Sequence, residues 1–212
     1  SDIDADVLGL KPQLWRLEEM ALIVVHGPAS LDLGREVAGL LKAETVPVFH
    51  RNFPDGESYL RFEGDLASRD VAIVQSTGPP QNTNLVQLLL MLDAARDLGA
   101  RRVVAVAPYL AYARQDRRFL SGEAFSARTV MKLLEACRVD ALVTVNLHNP
   151  RFLKGFRVRV ENLSAIGSLA RYLTGLGLEG AFSLTLGKMA PEVAAQADSV
   201  VTVSYTHLRA HE

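Results

Sequence analysis

Two kinds of apolar run alternate along this chain. Short β-branched stretches at 21–25, 71–75, 102–107, 141–146 and 181–186 have little polar interruption. That is the pattern of strands buried on both faces of a parallel sheet. Between them, apolar positions return at helical spacing. Leu31, Leu33, Val37, Leu40 and Leu41 form one stripe, with Ser30 placed to cap it. Leu85, Leu88, Leu89, Leu92 and Ala95 form a second, closed by Gly99. Val130, Leu133, Leu134 and Cys137 form a third, and Ile166, Leu169, Leu173 and Leu176 a fourth. Strand–helix alternation of this kind predicts an α/β fold, a mostly parallel sheet with helices on both faces.

The pattern lapses in three places. The segment 148–162 is basic, punctuated by Pro and Gly, and without helical periodicity. It reads as the boundary between a first domain of βαβ units, 20–160, and the start of a second, 161–202. Residues 1–19 precede Met20 with no clear partner element and read as a leader. Residues 203–212, VSYTHLRAHE, resemble the conceptual translation of a transposon-type sequencing adapter. They read as a non-native tail on a gene interrupted near Thr202.

Composition narrows the class. The 212 residues are ample for a substantial core. Lys and Arg number 23 and Asp and Glu 24, a formal net charge of −1, so nothing favours nucleic acid as a partner. The single cysteine, Cys137, excludes an internal disulfide and a cysteine-based zinc cage, as expected in a reducing, cytoplasmic setting. No apolar run approaches the ~18–20 residues of a membrane span, and the SDIDAD start lacks the basic region of a signal peptide.

Ligands of parallel α/β sheets bind at the carboxyl ends of the strands, so the loops there hold the candidate chemistry. After 102–107 comes PYLAYARQDRRFLSGEAFS, with Arg114, Gln115, Asp116, Arg117 and Arg118 beside Tyr109 and Tyr112. Guanidinium forks suit phosphate oxygens, and Gln and Asp suit a base edge, a ribose or a metal-bound water. The competing reading is a solvated loop whose charges pair internally. NFPDGES, 52–58, is a turn signal in which Pro fixes φ and Gly56 supplies a positive one. It predicts a hairpin turn, from which Asp55 and Glu57 would project as acceptors. NLHNP puts His148 at a strand end, where a structural role competes with a ligand role. STGPPQNTN, 76–84, reads first as caps for a helix beginning near Thr83. The P-loop, G-x-G-x-x-G, H-E-x-x-H and G-x-S-x-G signatures do not occur.

Taken in order, FPDGES, the stretch from Val74 to Arg118 ending in PYLAYARQDRR, SGEAFSAR and VTVNLHNP resemble the ribose-phosphate pyrophosphokinase family. The similarity runs from about 20 to 178. It implies a phosphoribosyltransferase-like fold of two α/β domains, here a complete first and a partial second. It also implies transfer of the diphosphoryl group of ATP to the 1-hydroxyl of ribose 5-phosphate, giving phosphoribosyl pyrophosphate and AMP, with Mg²⁺. By the same resemblance Phe53, Asp55, Gly56 and Glu57 reach the adenine, commonly across a subunit interface of a homo-oligomer. Arg114, Gln115 and Asp116 hold ATP, and His148 touches the Mg²⁺–ATP site.

Two positions depart from the family pattern. Asn146 stands where the family usually has Asp, and Gly187 stands where a second Asp helps hold metal. The family's catalytic loop and ribose-phosphate loop fall beyond these 212 residues, so the chain by itself is expected to be inactive. The departures favour an alternative, a non-catalytic homologue that binds nucleotide and co-assembles with an active partner. The intact YARQDR and FPDGE favour the enzyme. A phosphoribosyltransferase of the same fold lacks its acidic pair and Thr-rich loop in this sequence.

Overall fold

The computed structural model describes residues 22–147, 149–168 and 172. The expected leader, His148, the strand at 181–186, Gly187 and the tail at 203–212 all lie outside the described residues, as does most of the expected second domain. A first compact unit runs to Leu163, and the chain from Ser164 clusters separately.

The first unit is built on a six-stranded sheet ordered β2-β1-β5-β6-β7-β8, parallel throughout. Its strands are β1 (Leu22–His26), β2 (Glu44–Thr45), β5 (Asp70–Val74), β6 (Arg102–Val106), β7 (Ala141–Val145) and β8 (Arg159–Leu163). Strands β3 (Val48–Asn52) and β4 (Ser58–Phe62) form a separate antiparallel hairpin. The helices are α1 (Leu31–Leu41), α2 (Gln81–Asp97) and α3 (Ser126–Ala136).

Period-two alternation splits the apolar side chains between the two faces of the sheet. Ile23, Val25, Val71, Ile73, Val103, Ala105 and Leu142 pack with Leu85, Leu88 and Leu92 of α2 and Val130 and Leu134 of α3. Val24 and Val74 face the other way, with Ala38 and Val37 of α1. Each fully buried aliphatic side chain contributes roughly 1.5–3 kcal/mol, so the larger face carries most of the stability. Close approach fixes α1: a Cβ on Gly34 would lie 2.3 Å from His26 Cβ.

Four expected strands occur within a residue or so of their expected bounds, and three expected helices occur as well. The sheet departs from expectation at its margins. Strand β2 is two exposed residues, too short for a pattern. Strand β8, with the short 3₁₀ turn Pro150–Leu153, occupies the segment read as a linker. It is a polar, partly exposed edge strand, as unpaired sheet edges tend to be, so its apolar signal is weak. It carries the sheet past residue 160.

Capping also differs from expectation. Ser30 stands at the N-cap of α1 without a side-chain cap bond; its Oγ accepts instead from Ser76 N at 2.8 Å, tying two strand-end loops together. Helix α2 begins at Gln81 behind Pro80, again without a side-chain cap. The Thr77 hydroxyl donates to Tyr109 O at 2.8 Å and accepts from Ala111 N at 2.7 Å. Asn84 Nδ2 donates to Gly78 O at 2.8 Å. The 76–84 segment therefore laces loops together and leaves the helix end uncapped by side chains.

Candidate functional site

The loops after β1, β5, β6 and β7 share the carboxyl edge of the sheet, where α/β proteins bind ligands. Backbone bonds lock them in sequence. Gly27 N donates to Val74 O at 2.8 Å, Gln75 N to Val106 O at 2.9 Å and Ala107 N to Val143 O at 2.9 Å. Val145 N returns to Pro108 O at 3.1 Å. The RQD segment thus hangs on a fixed rim.

Its three polar residues have different surroundings. Arg114 is exposed, with no hydrogen bond or ion pair among the described residues, so its guanidinium is open to a ligand. Gln115 is anchored to the start of α3: Oε1 accepts from Ser126 Oγ at 2.5 Å, and its carbonyl accepts from Ala127 N at 3.2 Å. Asp116 is 9% exposed, and its Oδ2 accepts from Asn149 Nδ2 at 2.5 Å. That bond joins the RQD loop to the loop containing His148. Asn149 Oδ1 meanwhile accepts from Arg151 N at 3.1 Å and starts the 3₁₀ turn. Sequence reasoning gave Asn149 no role, although it lay in a flagged motif.

Asp116 and Asn149 line a cleft of about 620 Å³ with Arg117, Arg128, Lys132, Arg151 and Lys154. Five cations face only two acids there, Asp116 and Glu135. The i,i+4 spacing of Arg128 and Lys132 on α3 was the available sequence signal for this patch. A surplus of cations in a concave site raises the local concentration of anions. Glu123 shapes the rest of the loop by accepting from Phe119 N at 2.6 Å and Leu120 N at 2.9 Å. These two bonds hold its carboxyl below the usual carboxylate range.

No group of three or more His, Cys, Asp or Glu side chains suited to a metal occurs among the described residues. Mg²⁺, however, needs only one or two protein carboxylates when substrate phosphates complete its shell. Asp116 fits that role.

The 53–57 turn stands on the hairpin, away from this cleft. Phe53 N donates to Glu57 O at 2.8 Å and Gly56 N to Phe53 O at 2.9 Å. Gly56 has φ +93, open to glycine and costly for other residues. Asp55 Oδ1 accepts from Glu57 N at 3.1 Å, so one of its oxygens shapes the turn. Phe53 is half-buried, edge-on to Tyr59 at 6.0 Å, with the Arg51 guanidinium 4.8 Å over its ring. Gly56, Glu57 and Ser58 line a second cavity of about 520 Å³ with Asn82, Thr83, Val86 and Leu90. The two cavities share no lining residue. Their loops communicate through Tyr112, whose hydroxyl donates to Asn82 Oδ1. Asn146, in place of the expected Asp, has φ +51, a left-handed conformation that Asn tolerates, and its N–H donates to Leu163 O at 2.8 Å.

Fold and site together define a phosphoribosyltransferase-like α/β domain with a phosphate-suited rim. Residues 22–137, more than half the chain, match the model for the N-terminal domain of ribose phosphate pyrophosphokinase. The chain belongs to the ribose-phosphate pyrophosphokinase family. It is 43% identical over 189 residues to the ribose-phosphate pyrophosphokinase of Methanopyrus kandleri, covering 88% of this chain and 64% of that one. It is 46% identical to that of Methanothermobacter thermautotrophicus, covering 73% of this chain and 54% of the relative. The crystal structure of phosphoribosylpyrophosphate synthetase from Mycobacterium smegmatis superposes with a TM-score of 0.74 at 28% identity, over 85% of this chain and 62% of that one. The chain thus spans about half to two thirds of the length of these relatives.

Proposed function

We propose that the full-length protein is a ribose-phosphate diphosphokinase that transfers the diphosphoryl group of ATP to ribose 5-phosphate. The observation that carries this reading is the 2.5 Å bond from Asn149 to Asp116, which unites the RQD and strand-end loops beside a cation-rich cleft. A polyanion is the ligand such a rim suits. Membership of the family supplies the reaction.

In this reading Arg114, Gln115 and Asp116 hold ATP, and Phe53, Gly56, Glu57 and the remaining oxygen of Asp55 meet the adenine. Asp116, together with His148, would hold Mg²⁺, which neutralises phosphate charge when bound. The sugar 1-hydroxyl oxygen bonds to the β-phosphorus. The bridge from that phosphorus to the α-phosphate oxygen breaks, AMP leaves with the bridging oxygen, and the hydroxyl proton is released. The residues of this domain contribute alignment and charge, the two effects on which phosphoryl transfer chiefly depends.

The family resemblance, which puts the 53–57 turn commonly across a subunit interface, favours a homo-oligomer in which the hairpin of one subunit completes the site of another. Division into a first domain that ends with β8 and a second beyond it, and a cytoplasmic location, belong to the same proposal. The test is product analysis of the full-length protein with ATP and ribose 5-phosphate. AMP and a diphosphorylated sugar are expected; ADP, or no turnover, would refute the reading.

A further inference from the structure

A chain of buried amides runs from the loop after β1 to the root of the hairpin. Gln75, directly after β5, is 0% exposed. Its Oε1 accepts from Ala29 N at 3.0 Å. Its Nε2 donates to Asn84 O at 3.4 Å and to Gln87 Oε1 at 3.3 Å. Gln87, within α2, is 2% exposed. Its Nε2 donates to Ser58 Oγ at 3.0 Å and stands 3.0 Å from His50 Nε2. The Ser58 hydroxyl donates in turn to Asn52 Oδ1 at 3.1 Å. Asn52 and Ser58 are the paired residues that close the 53–57 loop.

Two primary amides buried among Leu88 and Met91 are costly unless their donors and acceptors are met, as most of theirs are. Apolar packing alone would seat the hairpin on α2 without fixing its direction, because hydrophobic contact is non-directional. The bonds between Phe53 and Glu57 fix the internal shape of the loop and not its aim. Hydrogen bonds at the root, from one rigid nitrogen, do fix that aim. We propose that Gln87 is a positioning residue: it fixes the direction in which the 53–57 turn leaves its own domain and so controls how well the turn grips a nucleotide base. This rests on the reading that the turn meets the base while the RQD loop meets the phosphates.

The test compares ATP with inorganic tripolyphosphate, each with Mg²⁺, as calorimetric ligands of the full-length protein. Wild type is expected to bind ATP more tightly than tripolyphosphate. Gln87→Met keeps the volume and removes the donors. It is expected to weaken ATP by about fivefold to tenfold, as loss of a hydrogen bond does, and to leave tripolyphosphate unchanged. Equal weakening of both ligands would mean a merely structural role and overturn the proposal, as would an undiminished ATP preference. A wild type without ATP preference would overturn the base reading and this proposal with it. Should Gln87→Met fail to fold, His50→Phe removes the other hairpin-side partner of Gln87 at a position that lines neither cavity, and the same split between ligands decides.

Discussion

Arg114 offers the most direct residue-level prediction. It is exposed and unpartnered among the described residues, so Arg114→Ala should leave unfolding stability within about 0.5 kcal/mol of wild type. Nucleotide binding should fall by ~1.5–3 kcal/mol, the worth of a charged hydrogen bond, in a calorimetric titration. Unchanged binding would make the loop purely structural. Glu123 gives a pH-dependent outcome. Its carboxyl lies below the ordinary value because the Leu120 and Phe119 amides bond its charged form. A depressed folded-state value means the contribution is present above the unfolded value and is lost as pH falls through the lowered one. Protection of the Phe119 and Leu120 amides, read as exchange against the intrinsic rate at each pH, should therefore fall on acidification into and below the carboxylate range, and Glu123→Gln should remove that dependence. Cys137 behaves oppositely: burial first, and then Asp93, raise its thiol above its usual value. It should alkylate more slowly than a free thiol at neutral pH.

At the scale of elements, α1 supplies a matched pair of tests. Gly34→Ala drives a Cβ to 2.3 Å from His26 Cβ, and overpacking of that kind costs about 1–3 kcal/mol. Gly39, on the exposed side of the same helix, meets nothing within 4 Å, so Gly39→Ala should stabilise by about 0.5–1 kcal/mol. Chemical denaturation of both variants measures the two signs. The same elements explain what the sequence could reveal. Strands β1, β5, β6 and β7 were legible because central parallel strands must be apolar on both faces. Strands β3 and β4 were legible only through the FPDGES turn, since Phe49, Arg51, Tyr59 and Arg61 face solvent. Strand β8 was hidden because an edge strand needs little apolar content. Ser30 and Thr77 misled for a different reason: their hydroxyls had a choice of local amides, and tertiary contacts with other loops won.

For the molecule as a whole, the RQD and NLHNP motifs were visible as chemistry, and the family resemblance implied that they share one ATP site, but the contact that joins them was not legible. It depends on Asn149 reaching Asp116 across 33 positions of sequence, which no local pattern encodes. The central claim is that these loops form one phosphate-binding rim, with the hairpin supplying the base contact. Amide chemical-shift mapping of the full-length protein titrated with Mg²⁺–ATP tests it most directly. The account predicts that shifts concentrate at Gln115, Asp116 and Asn149, with a second set at Phe53, Gly56 and Glu57. Shifts confined to other faces of the sheet, or none at saturating nucleotide, would contradict it.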